Sequence, residues 1–193
     1  MKKILLCIAL AASVYGAEAA QTRTGYLDDK TLDSDDLRLF VGFDGSYNYF
    51  QSTANLDKSG FGHSFYVGMP ILSTELILKQ HSTGTSNFNL TNDSITMNIP
   101  ISGTGSRMVY MGIIGGNSKV TYNDGTLSAN NLDSQNKSFS GSFYGAHIGK
   151  RYKFSQNFFT RMEFEYLKYN KSSADQLGLG SSMGFVYGVE YRF

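Results

Sequence analysis

The chain is 193 residues long, with a formal charge of +1, 41% apolar and only 17% charged residues, 21 glycines and 2 prolines. That length suits one domain with a short appendage, and the nearly cancelled charge excludes the basic footprint of a nucleic-acid binder. Aromatic content is 14%, all of it Tyr and Phe, which together with the glycines favours strand over helix.

Lys2 and Lys3, the apolar run from Ile4 to Val14 and the Ala17-Glu18-Ala19 exit read as an export signal over residues 1–19, cleaved near Ala19. Cys7 is the only cysteine and lies inside it, so the mature chain is expected to carry no disulfide. Residues 20–37 hold Asp28, Asp29, Asp33, Asp35 and Asp36, but lack the glycine and terminal glutamate of a calcium loop. They read as a solvated periplasmic segment.

From Leu39 onward the apolar pattern has a period of two. Leu39, Val41, Phe43, Gly45, Tyr47 and Tyr49 share one face, with Phe40, Gly42, Asp44, Ser46 and Asn48 on the other. A second strand sets Phe61, His63, Phe65, Val67 and Met69 against Gly62, Ser64, Tyr66 and Gly68. The third sets Leu76, Leu78 and Gln80 against Glu75, Ile77, Lys79 and His81, and the fourth sets Ile95, Met97, Ile99 and Ile101 against Ser94, Thr96, Asn98 and Pro100. In the fifth, apolar on both sides, Val109, Met111 and Ile113 are placed on the apolar face. The sixth sets Tyr144, Ala146, Ile148 and Tyr152 against Gly145, His147, Gly149, Arg151 and Lys153. The seventh sets Met162, Phe164 and Tyr166 against Arg161, Glu163, Glu165 and Leu167. The eighth sets Met183, Phe185, Tyr187, Val189, Tyr191 and Phe193 against Gly184, Val186, Gly188, Glu190 and Arg192.

About ten residues is the length a tilted strand needs to cross a bilayer. Short connectors are expected near Pro70–Ser73, Gly103–Ser106 and Ser155–Asn157, and long polar ones over Gln51–Gly60, Ser82–Asp93, Thr121–Ser138 and Lys171–Gly180. This asymmetry belongs to outer-membrane barrels. Alternation alone also fits a soluble barrel with the apolar set inside. Two features favour the inverted arrangement. The polar faces mix charge with glycine, as in Gly184, Gly188 and Glu190, which a crowded lumen requires and a watery face does not. Tyr and Phe also gather near strand ends, where interfacial girdles sit.

The final stretch, "MGFVYGVEYRF", resembles the C-terminal assembly signal of bacterial outer-membrane proteins, with Gly188, Tyr191 and Phe193 on its pattern. Residues 38–193 resemble the small outer-membrane barrels of the OmpA-barrel, OmpX, OmpW and opacity-protein type. The expectation is an all-β, eight-stranded antiparallel up-and-down transmembrane β-barrel. The resemblance implies outer-membrane lipid and the barrel-assembly machinery as partners, with host or cell-surface ligands meeting the extracellular loops. A monomer is expected, and nucleic acid is not. No wall-binding domain of the OmpA kind is expected after the last strand.

The inward set contains Asp44, Glu75, Glu163, Glu165 and Glu190 with Lys79, Arg151, Lys153, Arg161 and Arg192, and His147 beside them. Isolated charges in a narrow lumen are penalised, so they are expected to pair across strands. Either they form a plug, the favoured reading, or they line a gated path for small solutes. Lipid A deacylases resemble this chain in size, but their His and Ser must share a strand face. His63-Ser64 and His81-Ser82 are adjacent and so face opposite ways on a regular strand. A lipid A-modifying enzyme stays open as an alternative only through His81-Ser82, at a loop margin where that geometry relaxes. No catalytic residue is assigned. No cofactor and no metal are expected either, since no second His or Cys stands at ligand spacing from His147.

Overall fold

The computed structural model describes residues 38–52, 56, 58–71, 74–104, 107–130, 137–170 and 178–193. Residues 1–37, with the expected export signal and acidic segment, lie outside the described residues. The strands are β1 (Phe40–Ser52), β2 (Ser59–Ile71), β3 (Thr74–Gly84), β4 (Phe88–Thr104), β5 (Arg107–Tyr122), β6 (Ser138–Lys153), β7 (Phe158–Tyr169) and β8 (Leu179–Arg192), with one short helix, α1 (Asp124–Ala129), between β5 and β6. Each strand pairs antiparallel with its neighbours in sequence, and β8 returns to β1 to close the barrel. Closure uses the chain to its last residue, because Arg192 stands opposite Phe40 and the Phe193 amide donates to the Leu39 carbonyl at 3.0 Å. No sheet edge is left to pair with a stranger.

The alternation expected from Leu39 to Phe193 sets the facing throughout. Phe61 is 77% exposed, Phe164 64% and Ile113 59%, whereas Arg151 and Arg192 are 0% exposed. A soluble monomer rarely exposes an apolar patch beyond a few hundred Å². Here the apolar surface runs round the cylinder and the charges fill its middle, which suits an apolar surrounding. Among the described residues no helix is long and apolar enough to cross a membrane; in this fold the strands would do so.

Inward glycines let the lumen fill. A Cβ at Gly42 would collide with the Tyr66 ring, and one at Gly68 with the Phe40 ring. The large residue of one strand thus lies over the glycine of the next, in an interior only wide enough for side chains.

The structure corrects the expected connectors in one respect. Strands run 11 to 17 residues, longer than the expected ten or so, and the expected loop Ser82–Asp93 is mostly strand. β3 continues to Gly84 and β4 begins at Phe88. The turn is held by Thr85, whose hydroxyl accepts from the amides of Asn87 at 3.1 Å and Phe88 at 3.0 Å. The sequence does not reveal this because beyond the apolar belt both faces of the strand are polar. Thr83 and Asn92 point inward while Ser82 and Thr91 are partly exposed, so hydropathy has no period there.

Above the charges the barrel is capped by an apolar cluster that includes Phe50, Phe88, Leu90, Tyr122, Leu127, Phe143 and Leu179. Phe50 and Phe88 meet edge to face at 5.2 Å, and Phe88 and Tyr122 at 6.0 Å. α1 delivers Leu127 and is fixed to the β3–β4 turn, because the Thr126 hydroxyl donates to the Asn87 carbonyl at 3.1 Å and the Asn123 amide donates to the same oxygen at 2.8 Å. Replacing Phe88 by Ala is expected to cost about 3–5 kcal/mol by opening a cavity in this cluster. Gly42→Val is expected to cost about 1–3 kcal/mol by overpacking against Tyr66. Equilibrium urea unfolding in lipid vesicles, followed by circular dichroism, measures both; two unchanged midpoints would contradict this packing.

Candidate functional site

The lumen charges come from every second residue of five strands: Asp44 from β1; Glu75 and Lys79 from β3; Arg151 from β6; Arg161, Glu163 and Glu165 from β7; Glu190 and Arg192 from β8. All nine are buried. They sort into two groups. In the first, Arg151 donates to both oxygens of Glu75, Nη1 to Oε1 at 2.9 Å and Nη2 to Oε2 at 2.7 Å. Arg192 donates from Nη2 to Glu75 Oε1 at 2.6 Å and from Nε to Glu190 Oε1 at 2.7 Å, and Arg151 Nε lies 3.4 Å from that Glu190 oxygen. The guanidiniums also lie over rings, Arg192 at 4.6 Å from the centre of Phe40 and Arg151 at 5.4 Å from that of Tyr110. Bidentate pairing of this kind is the strong form of the interaction.

In the second group Arg161 donates to Asp44, Nε to Oδ1 at 3.0 Å and Nη2 to Oδ2 at 2.5 Å, and its Nη1 lies 3.2 Å from Glu163 Oε1. Ser64 donates to Asp44 Oδ2 at 3.0 Å, and Tyr110 donates to Glu163 Oε1 at 2.7 Å. Lys79 donates to Glu165 Oε1 at 2.6 Å, with Asp44 at 3.7 Å and Glu163 at 3.9 Å as further neighbours. The Arg161 guanidinium stacks 3.8 Å from the centre of the Tyr66 ring.

His147 is also inward and buried, with Nε2 2.7 Å from Asn98 Oδ1. It reaches across β5 because Gly112 lies beneath it, where a Cβ would collide with the imidazole. One ligand-capable atom from each of His147, Glu163 and Glu165 falls within 4.8 Å of the others. Spacing along the chain gives no sign of this trio. His147 and Glu165 are cross-strand partners, and Glu163 is two residues from Glu165, so register alone brings them together.

A second contact was not legible either. His81 Nε2 lies 2.8 Å from Ser46 Oγ, two strands away, over Gly62, whose Cβ would fall 2.6 Å from the imidazole. Thr83 Oγ1 at 3.1 Å and Asn48, donating to Ser46 at 2.9 Å, complete a polar layer under the apolar cap. The adjacent pairs considered as hydrolytic candidates are split as strand geometry requires. Ser64 is buried and His63 exposed, stacked on Phe43 at 6.3 Å, while His81 is buried and Ser82 is not.

Of the expected assembly-signal residues, Tyr191 and Phe193 lie at the rim where β8 meets β7. Tyr191 meets Phe158 at 5.0 Å and Phe193 at 5.1 Å, and its hydroxyl accepts from Asn157 at 3.1 Å. Gly188 faces inward, where a Cβ would collide with Asp44. Packing therefore requires this glycine whatever else the motif does.

Solved structures supply the comparison. Neisserial surface protein A superposes with a TM-score of 0.65 at 14% identity, covering 80% of this chain and 97% of its own. The fold is that of the small outer-membrane barrels. Outer membrane protein H from Pseudomonas aeruginosa matches this barrel at TM-score 0.54 and 17% identity, covering 81% of this chain and 99% of that one. Ail, the attachment invasion locus protein of Yersinia pestis, solved in complex with the heparin analogue sucrose octasulfate, matches at 0.51 and 16%, with 81% and 97% covered. No protein-family profile matches the sequence, and no curated protein is similar to it in sequence.

Removing one partner of a buried ion pair strands the others. Glu75→Ala leaves Arg151 and Arg192 without their shared carboxylate and is expected to destabilise the barrel by about 3–5 kcal/mol. Lys137→Ala removes an exposed partner of Asp124 at 3.4 Å and is expected to cost less than about 1 kcal/mol. Urea midpoints of the two variants in vesicles test the contrast, and equal shifts would contradict it.

Proposed function

We propose that this protein is a monomeric outer-membrane anchor that holds its extracellular loops as a contact surface, with a lumen that conducts no solute and performs no catalysis. The observation that carries the reading is the double closure of the lumen. A layer of paired charges fills its middle, and an apolar cluster closes the end where α1 and the longer connectors lie. Small-solute passage would require several short ion pairs to part and then leave ions unpaired in a low-dielectric interior. The buried Ser46–His81 contact, the one nucleophile–base geometry of note among the described residues, lies below that cluster, with both residues nearly inaccessible. A lipid substrate has no route to it.

A surface role is supported by the barrel fold and by its likeness to a neisserial surface protein and an attachment protein. Export through the segment ending near Ala19 and hand-over to the assembly machinery through Gly188, Tyr191 and Phe193 belong to the same proposal.

Two measurements test it. Purified barrel in a planar lipid bilayer is expected to give no stable conductance steps, whereas steps that change in Glu190→Gln would establish a channel instead. Exchanging residues 131–136 and 171–177 for Gly-Ser linkers of equal length leaves Leu127 and the other described cap residues unaltered, and is expected to preserve the heat-modifiable gel shift of a folded barrel. The same exchange is expected to abolish binding of protein-bearing cells to a host-cell layer; undiminished binding would contradict the contact-surface reading.

A further inference from the structure

The buried lumen carries five carboxylates, Asp44, Glu75, Glu163, Glu165 and Glu190, against four cations, Lys79, Arg151, Arg161 and Arg192. The first group balances, two against two. The excess negative charge sits in the second, where Asp44, Glu163 and Glu165 face Lys79 and Arg161. Beside it is a tightly packed interstice among Ile77, Lys79, Thr96, His147, Arg161, Glu163 and Glu165, with no room for a free water molecule. Two of the lining residues, Thr96 and His147, each carry a buried polar atom without a hydrogen-bond partner, Oγ1 and Nδ1. The two residues are 3% and 5% exposed.

The hydrogen-bond chain sets the state of the imidazole. Arg151 and Arg192 saturate Glu75 with donors, and Asn98 turns its amide nitrogen towards Glu75 Oε2 at 3.4 Å. Asn98 Oδ1 is thereby left to face His147, so Nε2 carries the proton and donates to it at 2.7 Å. Nδ1 then presents a lone pair, the form in which imidazole ligates a metal with its other nitrogen held by a second partner.

We propose that His147, Glu163 and Glu165 bind one divalent cation of the zinc class inside the barrel, with Thr96 Oγ1 at the edge of the site. A nitrogen with carboxylate oxygens suits zinc better than calcium or magnesium, which take oxygen alone. A ligand-capable atom from each of the three residues lies within 4.8 Å of the others. Small side-chain shifts bring them to the spacing of roughly 3.3 Å that zinc bonds of about 2.0–2.1 Å demand. Lys79, the present partner of Glu165, keeps Asp44 as a neighbour at 3.7 Å when the ion takes its share of the carboxylates. A site that admits no water holds the ion stripped, and the bound ion ties β6 to β7 from within.

The test uses the barrel without residues 1–19, which removes Cys7 and with it the only thiol. It is refolded into vesicles with zinc present, washed with a weak chelator and assayed for metal by mass spectrometry. One zinc per barrel is expected. His147→Gln and Glu165→Gln each remove a ligand and are expected to lose the zinc in the chelator wash, while His63→Ala, on the outer face, retains it. Cobalt substitution of the unaltered barrel gives a readout that needs no variant: visible ligand-field bands of a low-symmetry nitrogen–oxygen site are expected. Substoichiometric zinc in the unaltered barrel, zinc retained by His147→Gln, or a cobalt spectrum of the hydrated ion would each overturn the proposal.

Discussion

Charge inside an eight-stranded cylinder is the constraint on which the rest of the structure depends. An interior of this size is filled by side chains, and an ionised group without a partner there is held at a penalty of several kcal/mol. The barrel answers with forks rather than point contacts. Arg151 clasps Glu75 through two nitrogens and Arg161 clasps Asp44 through two. Arg192 joins Glu75 to Glu190. These contacts link residues more than a hundred positions apart in some cases, as Arg161 to Asp44 and Arg192 to Glu75. They come together only in the closed barrel, and they in turn penalise any slip of register. A one-residue shift of a strand would turn that strand's charges towards the outer face.

Crowding supplies the second half of the logic. Long side chains reach across the lumen only where a neighbouring strand yields space, and Gly42, Gly62, Gly68, Gly112 and Gly188 lie beneath Tyr66, His81, Phe40, His147 and Asp44. Glycine weakens a strand in isolation, through entropy and lost packing. In this interior it is what allows an arginine or tyrosine on the next strand. The apolar cap extends the same filling beyond the charges, so the described lumen grades from ion pairs through a hydroxyl and amide layer around Ser46, Asn48 and Thr83 to a dry cluster.

Much of this was legible in the sequence where a belt forces one face to be apolar. From Val41 to Tyr49 and from Met183 to Phe193 the period of two is unbroken, and facing, strand order and the inward charges follow from it. Even the fifth strand, apolar on both sides, takes the phase with Met111 and Ile113 outward, since Tyr110 is needed inside to donate to Glu163. Legibility ends where the belt ends. The stretch from Ser82 to Asp93 is polar on both faces and reads as loop, although Phe88 and Leu90 in it serve the cap. Leu127 in a polar connector gives no sign of joining them. Contacts between strands that are not neighbours, such as Ser46 with His81, depend on barrel curvature and on the glycine between them, which no linear spacing encodes. The trio of His147, Glu163 and Glu165 is intermediate: it becomes visible once the β6–β7 register is known.

A filled, capped cylinder separates anchoring from contact. The barrel is rigid by closure and pairing, and variation is tolerated at connector positions that, unlike Leu127, take no part in the cap. All of it presumes that the rings face lipid and the ions face inward. Single nitroxide labels at Phe185 and Tyr187, in vesicles, test this most directly, because residues 20–193 hold no competing cysteine. High collision rates with oxygen and low rates with a water-soluble nickel chelate are expected at both positions. Ready access of the nickel chelate there, with the protein folded, would contradict the account.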